Sequence, residues 1–331
     1  MPEFIIHVGP HKTGTTYLQL SFKAARPVMA ARGIIYPDVW DYAPGNPSHL
    51  PLALHLKAGE TARLAPEFDR LLASGAERVL LSAEDLSNLD VPALEILRGL
   101  IGQNPVRVVF YFRRWSELLP SSWQESVKQG QTWTLPEYML MTIHNVAQSR
   151  LLNFERKLAP FAQVFGADAL HPVSYSEVRD RDMDIFVHFA AQFLDWPSAV
   201  PGGAPKESNA SRDPATTEIL RMMNVLSRRH GTPERLRQKF DRLADPATLA
   251  PVTAAIAAHM QKQRFNDGWP ALHDLHESLA ALYLDRLVPP KRKRHLFSGK
   301  AKDLAYAAQD YLLEPGVIEI LSGLHAQLRA A

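Results

Sequence analysis

Two glycines set four residues apart, in Gly9-Pro10-His11-Lys12-Thr13-Gly14-Thr15-Thr16, enclose a histidine and a lysine and run into a pair of hydroxyl side chains. That spacing is the one used by phosphate-binding loops, in which backbone N–H groups curl about an anion at the start of a helix. The pattern departs from that of an NTPase loop: Thr15 and Thr16 follow the second glycine where Lys-Ser or Lys-Thr would stand, and the loop's only lysine, Lys12, precedes it. Lys12 still reaches the terminal group of a bound nucleotide, but from another side. The chemistry to expect is charge stabilisation at a phosphate-like group.

Two further constellations follow. The apolar run 106–112 ends in Arg113 and Arg114, and Ser121 and Ser122 stand eight residues after them. With a helix starting at Trp115, that offset spans about two turns and lets Arg113 and Ser121 converge on one anion. Arg114 with Ser122 keeps the same offset, although Arg113 ends the strand directly. An arginine capping a surface loop beside ordinary helical serines reads from the same residues. The third constellation is Val79-Leu80-Leu81-Ser82-Ala83-Glu84-Asp85, an apolar strand that ends in adjacent carboxylates. A carboxylate partly desolvated at a strand end has its pKa raised toward neutrality and suits proton abstraction, and Glu84 is the first choice. Asp85 and Ser87 read equally well as N-caps of a helix starting near Leu89. The acidic pair also resembles an element that holds magnesium in kinases, which keeps an ATP-dependent small-molecule kinase as an alternative.

Positioning these residues requires strands and helices in alternation. Short β-rich runs at 4–8, 33–36, 78–81, 106–112 and, less clearly, 169–175 are separated by helical periods at 15–32, 62–73, 92–102, 115–128, 135–143 and 151–165. The expectation is an α/β fold with a parallel sheet flanked by helices, whose ligands bind outside the carboxyl ends of the strands. Beyond Asp184 helical patterns dominate, at 184–194, 214–230, 233–243, 247–263, 272–287 and 303–313. A Pro-, Gly- and Ser-rich stretch near Pro197 divides a core of 1–196 from a mainly helical extension of 197–331, expected to pack on the core.

With 331 residues, 46% of them hydrophobic, the chain buries roughly three quarters of its unfolded surface, enough for a large stable core. Lysine and arginine number 37 against 35 acidic residues, so no global field favours nucleic acid or a membrane surface, and an anion site must be local. The absence of cysteine excludes disulfides, thiolate nucleophiles and cysteine metal sites. The first apolar run has no basic leader, and no apolar run approaches the roughly 20 residues of a membrane span. A cytoplasmic protein is expected.

The loop from Gly9 to Thr16, continued by Leu18 and Gln19, resembles the 5'-phosphosulfate loop of sulfotransferases that use 3'-phosphoadenosine 5'-phosphosulfate (PAPS), especially their bacterial members. The resemblance covers residues 1 to about 195 and weakens beyond, and it implies that the 197–331 extension contributes to the acceptor site and the nucleotide cover. It implies that His11, Lys12, Thr13, Gly14, Thr15 and Thr16 hold the 5'-phosphosulfate and that Arg113 with Ser121 holds the 3'-phosphate. It also implies that Lys12 acts on the leaving group and that Glu84 is the base, with no metal required and the desulfated nucleotide PAP as product. His11 and His49 lie where family members place residues facing donor and acceptor, and His49 is a second candidate base; a lone histidine is as readily structural. Ser208, Asn209 and Ser211 resemble a recurring bacterial segment and equally suit helix capping. Arg294 and Lys300, in the basic segment 291–302, stand where the family closes a loop over the nucleotide; a solvated turn reads as well. Trp40, Trp115 and Trp123 are the possible adenine-stacking rings. The implied partner is a small-molecule or glycan acceptor, not nucleic acid. A nucleotide-binding module without catalysis is the third alternative.

Overall fold

A computed structural model describes residues 1–144, 146–196, 213–227, 233–264 and 303–331. Its centre is a parallel sheet of β1 (Glu3–His7), β2 (Ile34–Ile35), β3 (Arg78–Ser82), β4 (Val106–Phe112) and β5 (Leu170–Ser174), in the order β2-β3-β1-β4-β5. The chain builds one side of β1 first and then crosses to the other, so β1 lies at the switch in strand order, the usual ligand position in such sheets. Register sets His7 beside both Ser82 and Val109, which brings the segments leaving β1, β3 and β4 to one edge of the sheet. The α/β class expected from the strand–helix alternation is the class observed.

Because side chains alternate along a strand, both faces of the sheet must be covered. On one face Ile5, Leu80, Val109 and Tyr111 pack with α1 (Thr15–Ala30) and α9 (Ile185–Phe193). Leu18, Phe22, Ala25 and Met29 recur at helical spacing along α1 and are all fully buried. On the other face Phe4 stacks on Phe68 of α3 (Thr61–Ala73), with ring centroids 6.2 Å apart. Phe112 meets Phe154 edge-on at 4.5 Å, just ahead of α7 (Glu155–Phe165). In chain order, α3 is followed by α4 (Val91–Ile101), capped by Asp90 through a bond from the Ala93 N–H, and then by α5 (Trp115–Lys128) and α6 (Leu135–His144) of a second unit. Asp90, not Asp85 or Ser87, is therefore the cap of the helix expected near Leu89.

Three short or late helices were not expected from the sequence. They are α2 (Leu50–Lys57), α8 (Tyr175–Asp180), which Ser174 caps, and the last helix, Val317–Ala330. Beyond 213 come α10 (Pro214–Ser227), α11 (Pro233–Leu243) and α12 (Pro246–Ala258). The helices expected over 247–263 and 303–313 are only partly present. Met260–Arg264 and Asp303–Ala307 instead form an antiparallel pair, β6 and β7, followed by a 3₁₀ turn at Gln309–Leu313. Five residues are too few for apolar spacing to separate the two periods, and pairing with a distant strand decides between them. The segment expected as a helix at 272–287 lies outside the described residues.

The described chain falls into two units, one of 1–114 and 147–196, the other of 115–144, 213–227, 233–264 and 303–331. The second is pinned by a buried pair on α10: Arg221 makes a two-pronged contact with Glu218 at 2.6 and 2.7 Å and also donates to the Thr132 carbonyl at 2.7 Å. Tyr311 donates to Glu218 from the 3₁₀ turn at 2.9 Å. Among the described residues no helix is long and apolar enough to cross a membrane.

Phe22 joins α1 to α9 through Phe189 and Phe186, at 4.9 and 5.9 Å. Phe22→Ala is expected to cost about 3–5 kcal/mol in denaturant unfolding. A change below about 1 kcal/mol would mean that α1 is not held by this cluster.

Candidate active site

The loop between β1 and α1 is shaped by backbone geometry. Gly14 precedes α1 in the left-handed region, at φ 76°, and no side chain caps the helix. A Cβ there would lie 3.3 Å from the Tyr175 ring, so glycine serves both the turn and the close approach. Lys12 is also left-handed, at φ 69°, which for a residue with a side chain costs roughly 1–3 kcal/mol and is tolerated where the surroundings fix it. Thr13 is fully buried and donates to the Pro10 carbonyl at 2.8 Å, closing the loop on itself. A Cβ on Gly9 would lie 2.6 Å from Thr15 Cγ2 and 2.7 Å from His7 Nε2, so only glycine lets the chain leave β1 this close to α1. The uncapped start of α1 presents N–H groups and a positive dipole end to an anion, beside the exposed Thr16.

Two buried histidines support β1 and β3 beneath this loop. His7 Nδ1 lies 2.8 Å from the Ser82 hydroxyl, and burial pulls the ring down to about 4. His49 is fully buried: Nδ1 accepts from the Ser82 N–H at 3.2 Å, so the ring proton is on Nε2 and is donated to the Pro37 carbonyl at 2.9 Å. Burial lowers His49 to about 3, and its ring stacks on Tyr36 at 4.4 Å. No lone pair is left for an acceptor proton. His49 is therefore a fastener between the 37–49 segment and β3, and is withdrawn as a candidate base.

The turn after β3 does reach the loop. Glu84 opens a 3₁₀ turn, Glu84–Asn88; its Oε1 accepts from the Thr15 hydroxyl, and its Oε2 pairs with His11 Nδ1. Burial alone would raise the Glu84 carboxyl, but hydrogen bonds and charge from His11, the Thr15 bond and the charge of Lys12 together hold it below the ordinary glutamate value. The expectation of a raised Glu84 is thus reversed, because the loop supplies donors to the charged form. His11 is raised in turn, chiefly by its bond to Glu84, against burial and the charge of Lys157. Asp85 lies 3.9 Å from Lys57, and its charge also favours protonated His11.

At the end of β4 the two arginines part company. Arg113 donates from Nη1 to the Lys12 carbonyl at 2.6 Å and lies over the Tyr175 ring at 5.5 Å. Arg114 is buried, its N–H donates to Ser176 Oγ at 3.1 Å, and its guanidinium pairs with Asp180. Arg114 thus braces α8, while Arg113 is the arginine beside the loop. Ser121 is half-buried on α5, in the second unit. Trp40, Trp115 and Trp123 are core residues, 3%, 1% and 6% exposed, and are not ring faces offered to a ligand. Ser208, Asn209, Ser211, Arg294 and Lys300 lie outside the described residues.

Two residues at this edge carried no sequence signal strong enough to single them out. Tyr175 opens α8 directly after β5 and reads in the sequence as an ordinary strand-end ring, yet it lies against Gly14 and under the Arg113 guanidinium. Lys157 sits in a helical period among apolar residues and reads as a surface lysine; it is 7% exposed and donates to Ser87 Oγ at 3.2 Å. Among the described residues no group of three or more His, Asp or Glu side chains forms a metal cluster.

No protein-family model matches the chain, and no curated protein matches it. Among solved structures it aligns with a sulfotransferase from Alicyclobacillus acidocaldarius at 13% identity, over 70% of this chain and 96% of that one, with a TM-score of 0.37. At that level the likeness contributes nothing to the roles of individual residues.

The His11–Glu84 pair has a defined pH window. The His11 share of its stabilisation is present below the ordinary histidine value of 6.5 and fades as pH rises through the raised folded value. The Glu84 share is present above the ordinary glutamate value and fades as pH falls through the lowered folded value. In an NMR histidine titration of the ligand-free protein, His11 is expected to titrate above 6.5, and Glu84→Gln to bring it down. An unchanged midpoint in the variant would dissolve the pair.

Proposed function

We propose that this chain is a PAPS-dependent sulfotransferase, transferring the sulfuryl group to a hydroxyl or amine of an acceptor. The observation that carries the reading is the strand–loop–helix from His7 to Thr15, with Lys12 and Gly14 both left-handed and Glu84 turned onto the loop from the neighbouring strand. This geometry suits an anion whose far end meets a carboxylate. In the proposed reaction, N–H groups of the loop and the Thr15 and Thr16 hydroxyls hold the 5'-phosphosulfate. Lys12 donates to the bridging oxygen as the sulfur–oxygen bond to the nucleotide breaks and PAP leaves. The acceptor oxygen or nitrogen attacks sulfur in line, and its proton passes to Glu84.

Glu84 is ionised in the free protein and already accepts from two groups. Losing one of them raises its affinity for the acceptor's proton, and anion binding at Thr15 supplies that loss. Arg113, with Ser121, is assigned to the 3'-phosphate, which ATP lacks. No metal is required in this mechanism. The acceptor is proposed to be a small molecule or glycan, received in part by the 197–331 extension, in a protein of the cytoplasm.

One observation favours a second reading. A carboxylate at the end of β3 bonded to the hydroxyl that opens α1 is also the pairing that holds magnesium in ATP-dependent kinases on this scaffold. Thermal unfolding with PAP, and separately with magnesium ATP, decides between them. At one hundred times its dissociation constant a ligand stabilises by about 2.7 kcal/mol, a shift of several degrees. A shift with PAP alone supports the sulfotransferase, and a shift with magnesium ATP alone replaces it with the kinase.

Lys12→Ala is expected to abolish turnover with the fold intact; near-normal turnover would remove Lys12 from the chemistry. Arg113→Ala is expected to weaken PAP much more than 5'-AMP. Equal weakening of both would confine Arg113 to its contact with the Lys12 carbonyl.

A further inference from the structure

Lys157 has no part in the reaction just described, and its placement is unusual. It lies on α7 with 7% of its surface exposed, and its Nζ donates to Ser87 Oγ at 3.2 Å. Ser87 Oγ in turn donates to the Glu84 carbonyl at 2.7 Å, inside the turn whose carboxylate contacts His11 and Thr15. A lysine stem could end in an apolar group here at no desolvation cost, whereas a buried ammonium is costly unless neighbouring charges offset it. Burial lowers Lys157 to about 8, while Glu84 and Asp85 favour its charged form and Arg150 opposes it. The charge of Lys157 also opposes protonation of His11. Glu84 thus has three cationic side chains about it, His11 and Lys12 from the loop and Lys157 from α7.

We propose that Lys157 is a positioning residue for the acidic turn: it braces Ser87 so that Glu84 faces the loop, and its charge limits how firmly His11 grips that carboxylate. The other charged groups around the cluster are Lys12 from the loop, Asp85 within the turn, Lys57 from α2 and Arg150 ahead of α7. Arg98 of α4 lies at the far end of α7, over the Phe165 ring. A cation under the turn keeps the His11–Glu84 contact exchangeable, and exchange is what frees Glu84 for a proton from the acceptor. That last consequence rests on the sulfotransferase reading; the bracing and the effect on His11 do not.

The test is an NMR titration of His11 in the ligand-free protein with Lys157→Met, Lys157→Gln and Lys157→Arg. Met removes charge and donor, Gln removes the charge while keeping a donor for Ser87, and Arg keeps both. The expected result is a His11 midpoint displaced to higher pH in Met and Gln, with Arg close to the wild type. A wild-type midpoint in Met or Gln, or an equal displacement in Arg, overturns the proposal. Gln serves where Met fails to fold. PAP affinity, measured on the same variants, is expected to stay within about twofold of wild type, since Lys157 does not contact the loop. A more than tenfold loss of PAP binding in Gln alongside an unmoved His11 would make Lys157 part of the donor site and overturn the positioning role. Absence of PAP binding to the wild type overturns the donor assignment and leaves the His11 result standing.

Discussion

One carboxylate ties the strand ends together. Glu84 leaves β3 and contacts both the loop histidine and the hydroxyl that opens α1, so the turn after one strand and the loop after its neighbour form a single unit. The contact is made possible by a close approach that only glycine permits at position 9 and by a helix that begins at a left-handed glycine without a side-chain cap. The negative charge set against the loop histidine and the Thr15 hydroxyl is that of Glu84 itself. The Thr15 hydroxyl that opens α1 is thereby committed to Glu84.

Three histidines at this edge show how environment sets role. His7 and His49 are buried, neutral and tied to Ser82, and they lock β1 and the 37–49 segment to β3. His11 is largely exposed and held protonated to higher pH by a carboxylate partner. Burial without a charge partner disfavours the imidazolium, and a carboxylate partner favours it. The two arginines after β4 divide on the same principle: Arg114 finds Asp180 and becomes part of the frame, while Arg113 finds a carbonyl and a ring beside the loop.

The second unit spends its buried charge on structure. Glu218 and Arg221 satisfy each other and reach Thr132, Gln309 and Tyr311, so α10 fixes the segment after α5 and the turn after β7. Buried pairs of this kind fix an arrangement more than they add net stability, because desolvation offsets much of the attraction.

The parallel sheet and the strand–loop–helix at the end of β1 were legible in the sequence, because strand alternation, helical spacing and a glycine loop are local patterns. Leu18, Phe22, Ala25 and Met29 announce the buried face of α1, and Gly9 and Gly14 announce a loop that needs close approach and a left-handed turn. What the sequence could not carry was which long-range partner each polar group would find. Glu84 was expected to be a raised carboxyl and is a lowered one, because His11 and Thr15 come to it across 73 and 69 positions of chain (84−11 and 84−15). His49 and Lys157 follow the same rule: the histidine is consumed by Ser82 and Pro37, and the lysine, which nothing in the sequence singled out, is buried with its ammonium on Ser87. Local propensity and periodicity are properties of a few consecutive residues. Charge state and hydrogen-bond allegiance depend on residues brought together only by tertiary packing.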